Sequence, residues 1–310
     1  MTMLGQRVLP AAELGSVPAW RQVLRGFSQC TFQANEITGV LLVAAAFAYH
    51  WRMGVFYVIS VLLGTAVASA VKGIPDLRDL GLYGFNSGLM GLALAALYQP
   101  NAALWIAMVV CAVIVAVLAV LASRFLPFPF LAAPFIATFW VLWPIAESIG
   151  LRKVPLSEFP EAPVQIVKAS VSALGSTLFA PSVLAGILVL IALLIASVRA
   201  AVIAVFGAIL GLALARHVGS PGESINSGFM GFNAVLAALG VNEVVGHDLR
   251  LIALGAIGAT WIFSYLNRTA PVPALASGFV LIVWAILLLG WLNGRFFGTS
   301  ATADNEAPAS

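Results

Sequence analysis

The sequence contains very little charge. Asp, Glu, Lys and Arg make up 9% of its 310 residues, the net charge is +3, and the basic residues are scattered along the chain. A nucleic-acid interface needs a concentrated basic surface, so nucleic acid is not a predicted partner. The composition is 62% hydrophobic with a mean hydropathy of +1.04, which is more apolar surface than a water-soluble core buries. An integral membrane protein in contact with a lipid bilayer is therefore predicted.

Cysteine and histidine are also scarce. Cys30 and Cys111 are far apart, and the three histidines lie at the ends of apolar runs or in a loop. This distribution does not fit a disulfide framework or a metal site, so no cofactor and no metal ligand are predicted. No phosphate loop or nucleophile motif occurs, so no catalytic residue and no enzyme activity are predicted. Charges inside a membrane often mark ion pathways, but Glu36 is expected to be a solvated carboxylate at the interface. What remains is passive passage of a neutral solute.

Apolar runs that approach the length of a membrane span divide the chain into two similar halves. In each half, a shorter and more polar segment precedes five apolar runs. The short segments are 20–33 and 170–181, and the runs are 37–50, 53–71, 80–98, 102–122 and 126–145, then 183–197, 200–217, 227–243, 249–265 and 270–292. Because five is odd, the second half would enter the membrane from the opposite face. The predicted fold class is all-α and integral to the membrane, with two inverted repeats of five transmembrane helices and one re-entrant half-helix each.

A polar stretch at 147–168, which contains three glutamates, three basic residues and three prolines, is the predicted linker between the halves. The predicted organisation is an N-terminal cytoplasmic segment (1–18), a first repeat (19–146), this linker, a second repeat (169–297) and a disordered C-terminal tail (298–310). Nine of the 15 Lys and Arg residues would lie on the side of the N-terminus. The positive-inside rule then predicts that both termini lie in the cytoplasm. The predicted location is the inner (plasma) membrane, which the chain crosses several times.

One hexapeptide occurs almost twice. "GLYGFN" at 81–86 and "GFMGFN" at 228–233 are separated by an offset of 147. The equivalent pairs at this offset are Gly84 and Gly231, Phe85 and Phe232, Asn86 and Asn233, Leu89 and Leu236, and also Phe32 and Phe179. A competing offset of 140 aligns "NSGLMGL" with "NSGFMGF", but the flanking segments favour 147. An offset of 144 relates "FPFLAAPF" (128–135) to "VPALASGF" (272–279).

The two asparagines of this motif are predicted to be structural. An unpaired amide in hydrocarbon costs several kcal/mol, so Asn86 and Asn233 are expected to bond backbone groups freed where a helix is interrupted. Gly84 and Gly231 make such an interruption cheap. Close helix packing through small residues accounts for part of the glycine content.

The doubled "G-x-x-G-F-N" and the doubled proline motif together resemble the urea transporter family, and the resemblance covers nearly the whole chain. It implies a homotrimer in which each subunit has a central pore between its two inverted halves. The implied function is passive, channel-like transport of urea or a similar small planar neutral amide. The resemblance also implies two slots, one formed by Phe32 with Phe85 and the other by Phe179 with Phe232. Rings held about 7 Å apart, twice the carbon contact distance, admit a flat molecule and exclude a hydrated ion.

Carried over to this chain, the solute-contacting residues would be Phe32, Phe85, Phe179, Phe232, Gln29, Ser176, Leu89, Leu236, Ala132 and Ala276. Gln29 matches the family pattern, but Ala132 and Ala276 replace threonines and Ser176 replaces an acid. Gly278 stands where the second motif would have proline. These departures leave open a channel for another small neutral solute, such as ammonia, formamide or acetamide. A membrane enzyme and a purely structural membrane protein are the remaining alternatives.

Overall fold

Helices form nearly all of the regular structure in the computed structural model, which describes residues 17–155 and 159–296. Within these ranges there is no strand, and the one isolated bridge joins Tyr98 to Lys153. The all-α part of the predicted fold class is confirmed. Most of the predicted N-terminal segment, and the predicted C-terminal tail, lie outside the described residues.

The described residues form the same order of seven helices twice. The first set is α1 (Ala19–Ser28), α2 (Glu36–Tyr49), α3 (Trp51–Ala70), α4 (Pro75–Asp79), α5 (Leu82–Leu97), α6 (Ala102–Phe125) and α7 (Ala133–Ile145). The second set is α8 (Ile166–Ser176), α9 (Val183–Ala196), α10 (Val198–His217), α11 (Gly222–Asn226), α12 (Phe232–Gly240), α13 (Leu249–Thr269) and α14 (Ser277–Phe296). Short 3₁₀ turns follow α1 and α7, and a π-helical turn at Val241–Val245 extends α12.

Five of these helices, α3, α6, α10, α13 and α14, are long and apolar enough to cross a membrane. Helices α1 and α2 form a pair bent by 68°, which counts as a sixth possible span. The chain therefore contains several segments able to span a bilayer. The other predicted runs correspond to shorter helices, of 16 residues in α5 and 9 in α12.

Three helices begin later than the apolar runs predicted, and those boundaries were wrong. The runs start at 126, 227 and 270, whereas α7, α12 and α14 begin at Ala133, Phe232 and Ser277. Proline fixes φ and lacks an N–H donor, so the proline-containing stretches before α7 and α14 remain non-helical although they are apolar. Hydropathy counts these residues as part of a span, while their backbone forms a loop.

The short helices α4 and α11 were not predicted, and each is closely followed by a glycine in the left-handed region. Gly81 has φ 78° and Gly228 has φ 77°. A Cβ atom on Gly81 would collide with the backbone at Gly26 of α1, and one on Gly228 would collide with the backbone at Ala173 of α8. Glycine is therefore required at both positions by conformation and by close approach.

The linker is held to the helices at both of its ends. Near its start, the N–H of Val154 donates to the carbonyl of Leu97 at 2.9 Å. Near its end, the side chain of Asn226 donates to the carbonyl of Pro163 at 3.0 Å and accepts from the N–H of Gln165 at 2.8 Å. Helix α8 then begins at Ile166, three residues before the predicted start of the second repeat.

The two halves interlock through α2 and α9, which pack against each other. The hydroxyl of the buried Thr38 in α2 donates to the carbonyl of Ala192 in α9 at 2.9 Å. Each half therefore contributes one helix to the other half's packing. The candidate site lies at the boundary between the two halves.

Candidate functional site

A narrow cavity lies at the boundary between the two halves. Its volume is about 20 Å³, which is room for little more than one water-sized molecule. Nine of the ten predicted solute-contacting residues line it: Phe32, Phe85, Phe179, Phe232, Gln29, Leu89, Leu236, Ala132 and Ala276. The remaining lining residues are Cys30, Leu131, Phe135, Thr177 and Phe279. The structure therefore brings together in one place residues that are distributed over 250 positions of the sequence.

Phe32 and Phe179 reach this cavity through the same unusual backbone turn. Both have positive φ, 60° and 56°, in the left-handed region that non-glycine residues rarely adopt. The turn ends α1 or α8 and allows the next helix to start in a new direction. Asn35 caps α2 by accepting from the N–H of Thr38 at 2.9 Å, and Ser182 caps α9 in the same way. Strained residues of this kind concentrate at functional sites.

Ring contacts at the cavity cross from one half to the other reciprocally. Phe32 meets Phe279 with ring centroids 5.7 Å apart and planes at 86°. Phe179 meets Phe135 at 6.3 Å and 88°. Edge-to-face packing at these distances is a favourable aromatic geometry. Each of these rings is therefore supported by a ring from the opposite half.

The phenylalanines of the repeated hexapeptide are supported within their own halves. Phe85 stacks near Phe130 with centroids 6.4 Å apart, and Phe232 meets the edge of Phe263 at 5.3 Å. Both residues are buried. The facing of Phe85 with Phe32 across a slot stays a prediction.

Asn86 connects α5 to the loop before α7. Its side-chain NH₂ donates to the carbonyl of Leu131 at 2.8 Å, and its side-chain oxygen accepts from the N–H of Phe135 at 3.2 Å. The residue is 0% exposed. The amide therefore satisfies backbone groups at the point where the apolar run is not helical.

The second half repeats this arrangement. Asn233 donates to the carbonyl of Leu275 at 2.9 Å and accepts from the N–H of Phe279 at 2.9 Å. Leu131 and Leu275 both have left-handed φ, 49° and 50°. Each asparagine thus donates to the carbonyl of a leucine in left-handed conformation, a carbonyl that lies outside the helices.

Gln29 and Ser176, which are equivalent in the two halves, bond equivalent carbonyls. The side-chain NH₂ of Gln29 donates to the carbonyl of Leu80 at 2.8 Å. The hydroxyl of Ser176, which has one proton, lies 3.0 Å from the carbonyl of Ser227 and 2.9 Å from the carbonyl of Ser172 in its own helix. Gln29 lines the narrow cavity, whereas Ser176 is not among its lining residues. The shorter serine therefore keeps the bond to the loop but does not extend as far as the glutamine.

Of the five lining residues that were not among the predicted site residues, Cys30 and Thr177 are the polar ones. The hydroxyl of Thr177 donates to the carbonyl of Leu174 at 2.6 Å, which leaves its oxygen lone pairs as acceptors. The sulfur of Cys30 lies 3.0 Å from the hydroxyl of Tyr57, which donates to the carbonyl of Phe27. The offset of 147 pairs Cys30 with Thr177, and both stand between residues already selected. That shared position in the repeat is the signal that would have found them.

An ionic cluster fixes α1, the helix that precedes Gln29. Arg21 and Arg25 donate to the same carboxylate oxygen of Glu36 at 2.7 and 2.9 Å, and Arg25 is only 4% exposed. The expectation that Glu36 is a solvated carboxylate was therefore wrong, because two guanidinium groups reach it from the preceding helix. At the equivalent positions of the second half, Lys168 corresponds to Arg21, but Ser172 and Val183 carry no charge, so no ion pair can form between them. The two sides of the cavity are thus supported by different chemistry.

A family model described as urea transporter matches residues 20–291. The chain belongs to the urea transporter family. Urea transporter 1 of Rattus norvegicus is 23% identical over 299 residues, a match that covers 89% of this chain and 78% of that relative. The urea transporter family consists of channel-type transporters and not of enzymes. Together with the helices long enough to span a bilayer, membership makes this chain a multi-pass membrane protein.

The cavity has the properties that a member of this family needs for a neutral solute. Its walls are mainly aromatic and aliphatic side chains, which cannot replace the water shell of an ion. Its polar side chains, Gln29, Cys30 and Thr177, are uncharged at neutral pH. A larger surface cleft of about 450 Å³ lies beside the linker at Asn101 and Lys153, and none of the paired residues lines it. The cavity between the halves is therefore the candidate site.

Proposed function

We propose that this chain conducts urea passively through the cavity between its two halves. The observation that carries the proposal is that nine of the ten residues selected by motif line one narrow cavity in a member of the urea transporter family. Urea is flat and neutral, but its four heavy atoms need more room than the one water-sized molecule that the cavity holds, so the proposal requires the lining side chains to move apart as urea passes. Among the residues that the structure describes, no charged side chain lines the cavity, which favours a solute that moves without a coupled ion.

The roles of the residues follow from their positions. Phe32 with Phe85, and Phe179 with Phe232, form the two slots that select a flat molecule. Gln29 offers its side-chain oxygen to the N–H groups of the solute, while its NH₂ group is bonded to Leu80. Leu89 and Leu236 cover the faces of the passage, and Ala132 and Ala276 line its middle. Ser176 acts as a support for the second slot. Asn86 and Asn233 hold the walls, and Gly84 and Gly231 allow the helices there to approach.

The two halves are proposed to be inverted repeats, each with five transmembrane helices and one re-entrant half-helix, α1 or α8. Equivalent bonds support this proposal. The bonds of Asn86 recur at Asn233, and that of Gln29 recurs at Ser176. The repeats occupy 19–146 and 169–297, on either side of the linker at 147–168. A pseudo-twofold axis in the membrane plane would place the cavity at its centre.

The assembly and location complete the proposal. The protein forms a homotrimer in the inner (plasma) membrane, has one pore in each subunit, and keeps both termini in the cytoplasm. Exposed apolar side chains on α6 and α13, such as Ile106 at 66% and Trp261 at 59% exposure, suit contact with lipid or with another copy. The excess of Lys and Arg on one side supports the orientation.

The solute preference has one specific alternative. Ala132 and Ala276 line the middle of the passage with methyl groups and offer no side-chain acceptor. A less polar middle region favours formamide, acetamide or ammonia over urea, because urea has the most N–H groups to satisfy.

Stopped-flow light scattering of proteoliposomes under an inward urea gradient tests the proposal. We expect urea-driven reswelling to be much faster than in empty liposomes, to rise linearly with urea concentration, and to be independent of pH and sodium. Rates equal to those of empty liposomes would exclude urea. The same measurement with formamide, acetamide and ammonia then ranks the alternatives.

A further inference from the structure

Two tryptophans join the halves by reciprocal hydrogen bonds. The indole N–H of Trp140, in α7, donates to the carbonyl of Pro273 at 2.9 Å. The indole N–H of Trp284, in α14, donates to the carbonyl of Pro129 at 2.9 Å. Each bond therefore runs from a helix of one half to the loop that precedes the corresponding helix of the other half. All four residues are half-buried.

The bonded carbonyls belong to the two loops that contribute Ala132 and Ala276 to the cavity wall. Pro129 and Pro273 lie three residues before Ala132 and Ala276, which line the cavity. Two residues after each proline, the carbonyl of Leu131 or Leu275 accepts a hydrogen bond from an asparagine of the same half. Each loop is thus fixed on one side by its own half and on the other side by the opposite half.

Because alanine is the wall residue in both loops, the width of the cavity there depends on where the loop backbone lies. A long side chain can change rotamer when its backbone moves, but the methyl groups of Ala132 and Ala276 have no such freedom. Where these two methyl groups line the cavity, the position of the wall is set by the loop backbone. In a cavity of about 20 Å³, a small displacement of either loop changes which solutes fit.

We propose that Trp140 and Trp284 are positioning residues that hold the two loops at a fixed separation and thereby set the largest solute that passes. The proposal rests on the proposed function, because solute passage is its readout. It predicts that loss of the indole N–H groups widens the range of solutes rather than merely lowering the rate.

The test is the double variant Trp140→Phe/Trp284→Phe, which removes both donors and keeps aromatic rings. The matched control is Trp143→Phe, because Trp143 is also half-buried in α7 but stacks on Phe139 of its own helix. The readout is the ratio of methylurea to urea permeability in proteoliposomes. A merely structural defect lowers the amount of folded protein and both permeabilities together, so it leaves this ratio unchanged.

We expect the ratio to rise about two- to tenfold for each bond lost, the range that corresponds to losing the net stabilisation of one hydrogen bond, and to rise further in the double variant than in either single variant. It should stay at the wild-type value in the control. A wild-type ratio in a folded double variant that still transports urea would overturn the proposal, as would an equal rise in the control. If the double variant does not fold, each single variant is judged by the same criterion. Failure of the wild-type protein to transport urea would instead count against the proposed function.

Discussion

Replacement of Asn86 by leucine removes two hydrogen bonds at a site that water cannot reach. The side chain is 0% exposed, donates to Leu131 at 2.8 Å and accepts from the N–H of Phe135 at 3.2 Å. Leucine is similar in size, so the main loss is the pairing of these two backbone groups. Each buried group left without a partner costs about 1–3 kcal/mol. The free energy of unfolding should therefore fall by about 2–6 kcal/mol.

A matched control exists at the start of α6. Asn101 also makes two bonds, accepting from the N–H of Leu104 at 2.8 Å and donating to the carbonyl of Gly150 at 2.8 Å, but Asn101 is only half-buried and Gly150 is exposed. Water can replace those bonds, so Asn101→Leu should cost about 1 kcal/mol, as loss of a helix cap does. Reversible unfolding in detergent micelles, followed by circular dichroism, measures both variants. If Asn86→Leu destabilises no more than Asn101→Leu, the reasoning that Asn86 satisfies a buried, interrupted backbone is refuted.

Three further predictions concern the cavity and its supports. Phe85→Ala should raise permeability to solutes bulkier than urea. Phe139→Ala, in the core outside the cavity, should lower the unfolding free energy by about 3–5 kcal/mol without changing selectivity. Equal changes of selectivity in the two variants would argue against the slots. Thr177→Val should lower urea permeability about two- to tenfold in stopped-flow assays, because it removes an acceptor that lines the cavity. Thr31→Val removes a similar bond to the preceding turn, but Thr31 does not line the cavity, so this variant should leave urea permeability unchanged. Gly81→Ala should lower the thermal midpoint, because a Cβ there meets the backbone of α1 and left-handed φ costs about 1–2 kcal/mol for other residues; an unchanged midpoint would contradict this.

The helices predicted most accurately are those whose ends are marked by charge or polar residues. The runs 200–217 and 249–265 correspond to α10 and α13, which end at His217 and Thr269. The starts of α7 and α14 could not be found from hydropathy, because the loops before them are as apolar as the helices. The direction of these loops is set instead by proline and by leucines in left-handed conformation.

The candidate site was predictable to the extent that it is repeated. The offset of 147 paired the phenylalanines and the asparagines, the resemblance to the urea transporter family assigned the phenylalanines to the solute, and the structure places those phenylalanines on one cavity. Cys30 and Thr177 were missed because the 3₁₀-like turn after α1 and α8 decides which side chain faces inward, and no periodic pattern reports that. The bonds of Trp140 and Trp284 join residues 133 and 155 positions apart, so only the fold reveals them. The inverted orientation of the halves stays a prediction.

Passage of urea through the cavity between the halves is tested most directly by the urea permeability of a variant whose cavity is filled. Ala276→Trp adds an indole to a wall residue that is 5% exposed, inside a space of about 20 Å³. Val141→Trp adds the same group at a site that is 69% exposed on α7. If urea crosses the cavity between the halves, Ala276→Trp reduces urea flux in proteoliposomes to the level of empty liposomes, while Val141→Trp retains the wild-type flux. Wild-type urea flux through a folded Ala276→Trp protein would contradict it, because urea would then have to cross elsewhere.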